Sequence, residues 1–258
     1  KNKGLDYATA FELVRASNVF TTHTPVPAGN DHFAPELVTN YLKSKADELG
    51  IGIEGLLALG RQNPADKHET FCMTVLALRL SREIGDRMGE GRSLNNLGDV
   101  YLSTHNYAKS IGYIQQARLI FEQVGSRNGR VVTLANLTQL ALRQGEYEQA
   151  RTSAEQWLAL CREGNDLAGE GRALLHLGAY SCQVGDLLRA RNQFERSLHN
   201  FTRMRDRRGE AAALRAMANL SIHSGQYEDA HKYASLALSK LGENEDRPRA
   251  ELLLDLGR

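Results

Sequence analysis

The chain has 258 residues, with 32 basic and 31 acidic side chains and a net charge of +1. So balanced a charge argues against nucleic acid or an anionic membrane as a bulk partner. Its three cysteines are an odd number without metal-ligand spacing, which argues against a disulfide framework and indicates a reduced, cytoplasmic setting.

The first 82 residues predict mostly helix. The second of four predicted helices has Pro35 just inside its start and Gly50 just after its end, the favoured asymmetry. One apolar run at 19–22 predicts an extended stretch without a partner, because no second strand candidate is evident. The helices are predicted at about 6–17, 35–49, 53–60 and 67–84.

Three segments in this part carry a family resemblance. Residues 18–31 read NVFTTHTPVPAGND, residues 57–61 read LALGR, and residues 73–80 read MTVLALRL. Together they resemble the α-glucan (glycogen/starch) phosphorylases, over about residues 1–82. By this resemblance His23, in the Thr-His-Thr segment, would contact the sugar, and the chain would be linked to carbohydrate metabolism.

The same resemblance predicts that this segment is not an enzyme by itself. Phosphorylases use pyridoxal phosphate held on a lysine in a distant second domain, where basic residues also hold the substrate phosphate. Nothing after residue 82 resembles either feature, and EIGDR at 83–87 replaces the family's Asn-Gly-Val-Ser stretch. Because a cofactor enzyme needs its cofactor site intact, no catalysis and no cofactor are expected here.

A join between two kinds of sequence is predicted within residues 76–84. Ala77 lies 40 residues before Ala117, and Ile84 lies 40 residues before Val124. The last phosphorylase-like helix is therefore in phase with the repeats that follow, and we expect it to cap them. A natural fusion and an assembly artefact both fit this join, and a chain that begins at Lys1 is expected to be a fragment or a processed product.

The rest of the chain repeats every 40 residues, in blocks near 89–128, 129–168, 169–208 and 209–248. Each block predicts a first helix with a buried leucine, a polar turn, and a second helix with small residues at fixed places. A constant period of this kind indicates stacked helix pairs that bury each other's apolar faces. The equivalent leucines are Leu94, Leu134, Leu174 and Leu214.

This pattern resembles the tetratricopeptide repeat over about residues 87–258. The matching residues are Leu94, Leu97, Gly98, Tyr101, Ser110 and Ala117 in the first block, and Leu174, Leu177, Gly178 and Ala190 in the third. The period departs from the family's usual length of about 34 residues. The predicted fold class is all-α: a tetratricopeptide-like α-solenoid over 83–258, preceded by a mostly helical, partial phosphorylase-like segment over 1–82.

The resemblance implies a concave groove lined by the first helices. Asn and Gln there can pair with a peptide backbone, and Arg can clamp a carboxylate, so the predicted ligand is a peptide with an acidic bias. A solvated helix face without a ligand is the alternative. The groove residues predicted from their spacing are Arg92, Asn95, Asn96, Asp99, Asn136, Gln139, Arg143, Arg172, His176, Arg215 and Asn219.

Three other features are interpreted as structural. The Gly-Glu-Gly sequences at 89–91 and 169–171 lack the lysine of a phosphate loop and indicate helix starts. Four arginines between 203 and 208 are expected to form a solvated turn, where cations suit a helix C-terminus. Trp157 takes a small-residue position and is expected to fill space between repeats; no metal site is predicted.

The function predicted from the sequence is a scaffold that binds a protein or peptide, with self-association through the array ends as a further possibility. The alternatives are an α-glucan phosphorylase fragment with accessory repeats, and the sensor arm of a larger transcriptional or signalling regulator. A bound pyridoxal phosphate would favour the first alternative.

Overall fold

The computed structural model describes residues 32–241. The helix predicted at 6–17, the extended stretch at 19–22, and everything after 241 lie outside the described residues. Two compact units make up the chain, one up to Thr133 and the other from Leu134.

Three helices and a short strand pair precede the repeats. The helices are α1 (Pro35–Glu48), α2 (Gly52–Leu59) and α3 (Met73–Ile84). The first two lie where they were predicted, but the predicted helix at 67–84 begins only at Met73. The strand pair was not predicted: β1 (His32–Phe33) pairs antiparallel with β2 (Phe71–Cys72).

Eight helices of the described chain form four consecutive pairs. The first helices of the pairs are α4 (Arg87–Ser103), α6 (Arg127–Gln144), α8 (Leu167–Gln183) and α10 (Arg207–His223). The second helices are α5 (Tyr107–Gln123), α7 (Tyr147–Glu163), α9 (Leu187–Met204) and α11 (Tyr227–Lys240). Starts of equivalent helices differ by 40 residues, which confirms the predicted period.

The leucine at the same place in each first helix is buried in every repeat. Leu94, Leu134, Leu174 and Leu214 are at most 5% exposed. The Gly-Glu-Gly sequences lie inside the first turns of α4 and α8, as predicted. An aspartate caps each of these helices: Asp86 accepts from the Gly89 N–H and Asp166 from the Gly169 N–H, both at 2.8 Å, which satisfies an otherwise unpaired donor.

Helix α3 takes the place of a second helix in front of α4. A Cβ on Gly89 would lie 2.7 Å from Ser81 Oγ, and a Cβ on Gly129 would lie 2.2 Å from the Phe121 ring, again eight residues earlier. Val75 and Leu78 of α3 share a core with α4 and α5. The predicted phase match is therefore confirmed, and the phosphorylase-like part packs directly on the first repeat.

Close approach of α4 and α5 depends on a glycine. A Cβ on Gly98 would lie 2.4 Å from Ile114 Cγ1, and Ser110 Oγ donates to the Gly98 carbonyl at 2.7 Å. We expect Gly98→Ala to lower the free energy of unfolding by about 1–3 kcal/mol, because the new methyl overpacks this crossing. Chemical denaturation followed by circular dichroism measures the change.

Gly112 supplies the matched control. It lies inside α5, and a Cβ there meets nothing within 4 Å. Gly112→Ala is expected to raise stability by about 0.5–1 kcal/mol through helix propensity alone. If both alanines stabilise the chain equally, close packing at Gly98 is not what requires glycine.

Candidate functional site

The first helix of the first repeat presents a short polar face. Arg92, Asn96 and Asp99 of α4 are exposed, as expected for groove residues. Asn95 is only 7% exposed, so it offers little surface to a ligand. The predicted set in this unit is therefore brought together on one helix face with the exception of Asn95.

The second unit carries the larger face. Arg143 and Arg172 are exposed, whereas Asn136, Gln139, His176, Arg215 and Asn219 are partly exposed. Helices α8 and α10, the first helices of consecutive repeats, contact each other directly. Within the described part of this unit, the second helices α9 and α11 show no contact of that extent. Helices α8 and α10 thus lie closer together than α9 and α11, which puts α8 and α10 on the inner side of these two repeats.

Two further exposed polar residues of the first helices were missed by the sequence analysis. Gln183 and His223 are exposed near the ends of α8 and α10, 40 residues apart. Gln183 Oε1 accepts from Tyr147 Oη at 3.3 Å, and His223 Nδ1 lies 2.7 Å from the Asn219 carbonyl. Their spacing from Arg143 by multiples of 40 was the available signal.

The His176 ring packs against Trp157. Its ring centroid lies 5.5 Å from that of Trp157, with the planes tilted by 43°. Burial lowers the pKa of His176 to about 4, although one edge of the residue keeps some exposure. A neutral imidazole at ordinary pH follows, so His176 adds no charge to this face.

Trp157 fills space, as predicted. It is 2% exposed, and its Nε1 makes no regular hydrogen bond. Cys161 lies one turn later, and burial, followed by the Asp166 carboxylate, raises the pKa of its thiol to about 11, while the nearby indole of Trp157 acts in the opposite direction. Both side chains therefore serve packing, and the thiol stays protonated.

Comparison with known families identifies the repeats. Residues 89–163 match the tetratricopeptide repeat family. These residues are similar to tetratricopeptide repeats. BtubC (BKLC) from P. vanneervenii has a similar fold, with a TM-score of 0.62 at 14% identity over 71% of this chain and 79% of that one. At that identity the likeness concerns the fold alone.

The segment in front of the tetratricopeptide repeats is similar to phosphorylases. Glycogen phosphorylase from Mycobacterium tuberculosis is 40% identical over 85 residues, which are 31% of this chain but 10% of that protein. Glycogen phosphorylase from Aquifex aeolicus is 34% identical over 82 residues, covering 32% of this chain and 12% of that protein. Maltodextrin phosphorylase from Thermococcus litoralis is 38% identical over 79 residues, covering 31% of this chain and 9% of that protein. The chain thus spans about a tenth of these relatives.

Charged side chains in this segment hold a loop in place. Arg79 donates to the carbonyls of Ala58 at 2.5 Å and Arg61 at 2.6 Å, which caps the end of α2. Glu69 accepts from the backbone N–H groups of Gln62 and Asn63, each at 2.9 Å. Because their bonding groups are used in this way, these residues serve the fold of the loop between α2 and β2.

The described lysines of the phosphorylase-like segment do not fit pyridoxal phosphate. A lysine that holds this cofactor has to lie in an enclosed site that excludes water. Lys43, Lys45 and Lys67 are all exposed. His23, the predicted sugar contact, lies outside the described residues.

Two searches of residues 32–241 complete the inventory of sites. No group of three or more potential metal ligands occurs among them. None of their helices combines the length and the apolar character that a membrane span requires.

Proposed function

We propose that this chain is a protein-interaction scaffold that binds an extended peptide along the first helices of its tetratricopeptide repeats, and that it does not act as an enzyme. The observation that carries this proposal is the division of each first helix into two sides. Leu174 and Leu177 are buried within the repeat, whereas Arg172 on the same helix is exposed.

Charge supports a ligand with acidic groups. Arg143, Arg172 and Arg215 all lie on first helices; the first two are exposed and Arg215 is partly exposed. The carboxylate nearest in sequence to Arg172 is engaged elsewhere, since Glu170 lies 3.0 Å from Arg162. An arginine fork binds a carboxylate in two parallel hydrogen bonds, so an acidic peptide complements these helices.

We also propose the division of the chain into a phosphorylase-like segment, 1–82, and a repeat array, 83–258, with a cytoplasmic location. The three free cysteines support a reducing environment. The alternative function as part of a phosphorylase is favoured by the 40% identity over 85 residues, and absorbance of bound pyridoxal phosphate in the full-length protein tests it.

The groove is tested with a peptide array and one double variant. Arg172→Ala combined with Asn136→Ala is expected to lower the affinity for the tightest-binding peptide of the array by about tenfold or more. This is equivalent to about 1.4 kcal/mol of binding free energy. Affinity is measured by fluorescence anisotropy. Arg118→Gln, on the exposed side of a second helix, is the control and is expected to leave affinity unchanged. Equal affinity of the double variant and the wild type would contradict the groove.

A further inference from the structure

A second charged surface lies away from the inner side, at the turn between α9 and α10. We name it the arginine edge: Arg203, Arg205, Arg207 and Arg208, all exposed within six residues. Arg203 lies in the last turn of α9, where a cation suits the helix dipole, as the sequence analysis expected. Arg207 and Arg208, however, open α10, where the dipole disfavours cations.

The backbone of Arg205 is also unfavourable. It has φ = 58°, in the left-handed region, where side chains other than Gly and Asn are strained. The equivalent positions in the other turns hold Gly85, Gly125 and Asn165, which adopt the same conformation. The fold therefore does not require an arginine at this position, because glycine or asparagine adopts the same backbone conformation with less strain.

The other repeats show that two more of these charges are unnecessary for folding. The positions equivalent to Arg203 hold Glu83, Gln123 and Glu163, and those equivalent to Arg208 hold Met88, Asn128 and Ala168. Only the position of Arg207 is basic elsewhere, where Arg87 forms an ion pair with Glu90. In the last repeat the equivalent carboxylate, Glu210, is engaged by Lys240.

Little negative charge from neighbouring residues compensates Arg203, Arg205 and Arg207. Asp206 uses one carboxylate oxygen to accept from the Gly209 N–H at 3.0 Å, and Glu210 is 5% exposed. No ion pair is recorded for Arg203, Arg205 or Arg207 among residues 32–241. Positive charge placed on a surface against local preference, with no structural gain, is a feature of binding sites.

We propose that the arginine edge binds an acidic segment of a partner protein. The guanidinium groups of Arg203, Arg205 and Arg207 lie within one turn and match a few adjacent carboxylates, and Met204, 45% exposed, adds an apolar contact. A nucleic acid fits less well, because the negative charge of its backbone extends beyond the arginine edge, at about one charge per 1.7 Å of duplex. The preceding turn on the same edge carries the exposed Glu163 and Asp166, which would repel such a continuation.

The test uses labelled hexaglutamate, followed by fluorescence anisotropy at low salt. The variant is Arg203→Gln with Arg205→Gly, which removes two charges and relieves the strained backbone, so its thermal midpoint is expected to equal or exceed that of the wild type. Binding is expected to weaken about fivefold or more. The charge-matched control, Arg118→Gln with Arg151→Gln, removes one exposed and one partly exposed arginine elsewhere and is expected to bind like the wild type.

The proposal would be overturned by no binding of hexaglutamate to the wild type, by equal weakening in variant and control, or by tighter binding of a DNA duplex than of hexaglutamate. The groove variant Arg172→Ala with Asn136→Ala is expected to leave hexaglutamate binding at the edge in place. If only the groove variant loses hexaglutamate binding, the acidic ligand binds at the inner side and the proposal for the arginine edge is wrong.

Discussion

Replacement of Trp157 by alanine is expected to lower the free energy of unfolding by about 3–5 kcal/mol, because it empties a fully buried site between helices. The equivalent positions hold Ala117 and Ser197, so the loss is specific to the second repeat. There, Cys161 stands where the neighbouring repeats have a buried phenylalanine. A large residue at one position is thus compensated by a small one a turn later.

This exchange of volume predicts strong coupling between the two positions. Cys161→Phe alone is expected to cost about 1–3 kcal/mol, since its ring would compete with the indole for space. The double variant Trp157→Ala with Cys161→Phe pairs alanine with phenylalanine as in Ala117 and Phe121. Gly169 supplies one of the two glycines that face this ring in the other repeats, while Val131 stands at the position of the other, Gly91. The double variant is expected to be more stable than the sum of the single changes by at least about 1 kcal/mol.

Urea denaturation followed by far-ultraviolet circular dichroism measures all three variants, because the signal does not depend on the tryptophan. Leu188→Ala is the control, since Leu188 is 85% exposed and its loss is expected to change stability by less than about 0.5 kcal/mol. Additive effects of the two single changes would show that the sites do not share a packing space.

The repeat fold was predictable because its signal is long and redundant. Four blocks with the same spacing fix which leucines face inwards, and the buried Leu94 and Leu214 follow from the period alone. The start of α3 was not predictable in this way. Residues 61–70 carry helix-forming residues, but Arg79 and Glu69 hold their backbone in a loop through contacts that no local pattern encodes.

The burial of one polar residue of the first helices, Asn95, did not follow from the spacing, for a reason of geometry. A first helix in a repeat array packs against its own second helix and against the one before it, so its buried arc is wider than one leucine stripe. Asn95 and Leu94 are consecutive residues and both are buried. The aligned repeats show a large residue at 157 and a small one at 161, where the neighbouring repeats have the reverse. Only the structure shows that the Trp157 indole packs against His176.

Acidification is expected to destabilise the second unit through His176. The folded pKa of about 4 lies below the ordinary value of 6.5, so the folded state binds this proton less readily than the unfolded state. The stabilising contribution is therefore complete above pH 6.5 and is lost as the pH falls towards 4. The free energy of unfolding is expected to fall by at most about 3 kcal/mol through this titration, of which about 2 kcal/mol is lost by pH 5.

His176→Phe removes this titration while keeping a ring against Trp157, so the variant is expected to lose less stability than the wild type between pH 7 and about pH 5. Fluorescence of Trp157, the only tryptophan in the chain, follows denaturation of both proteins at each pH. His199→Phe, which changes an exposed histidine, is the control and is expected to keep the pH dependence of the wild type. If the free energy of unfolding of the wild type and of His176→Phe falls in parallel with pH, the acid sensitivity of the second unit arises from other groups. Only a histidine held neutral by burial adds a cost of protonation that phenylalanine removes.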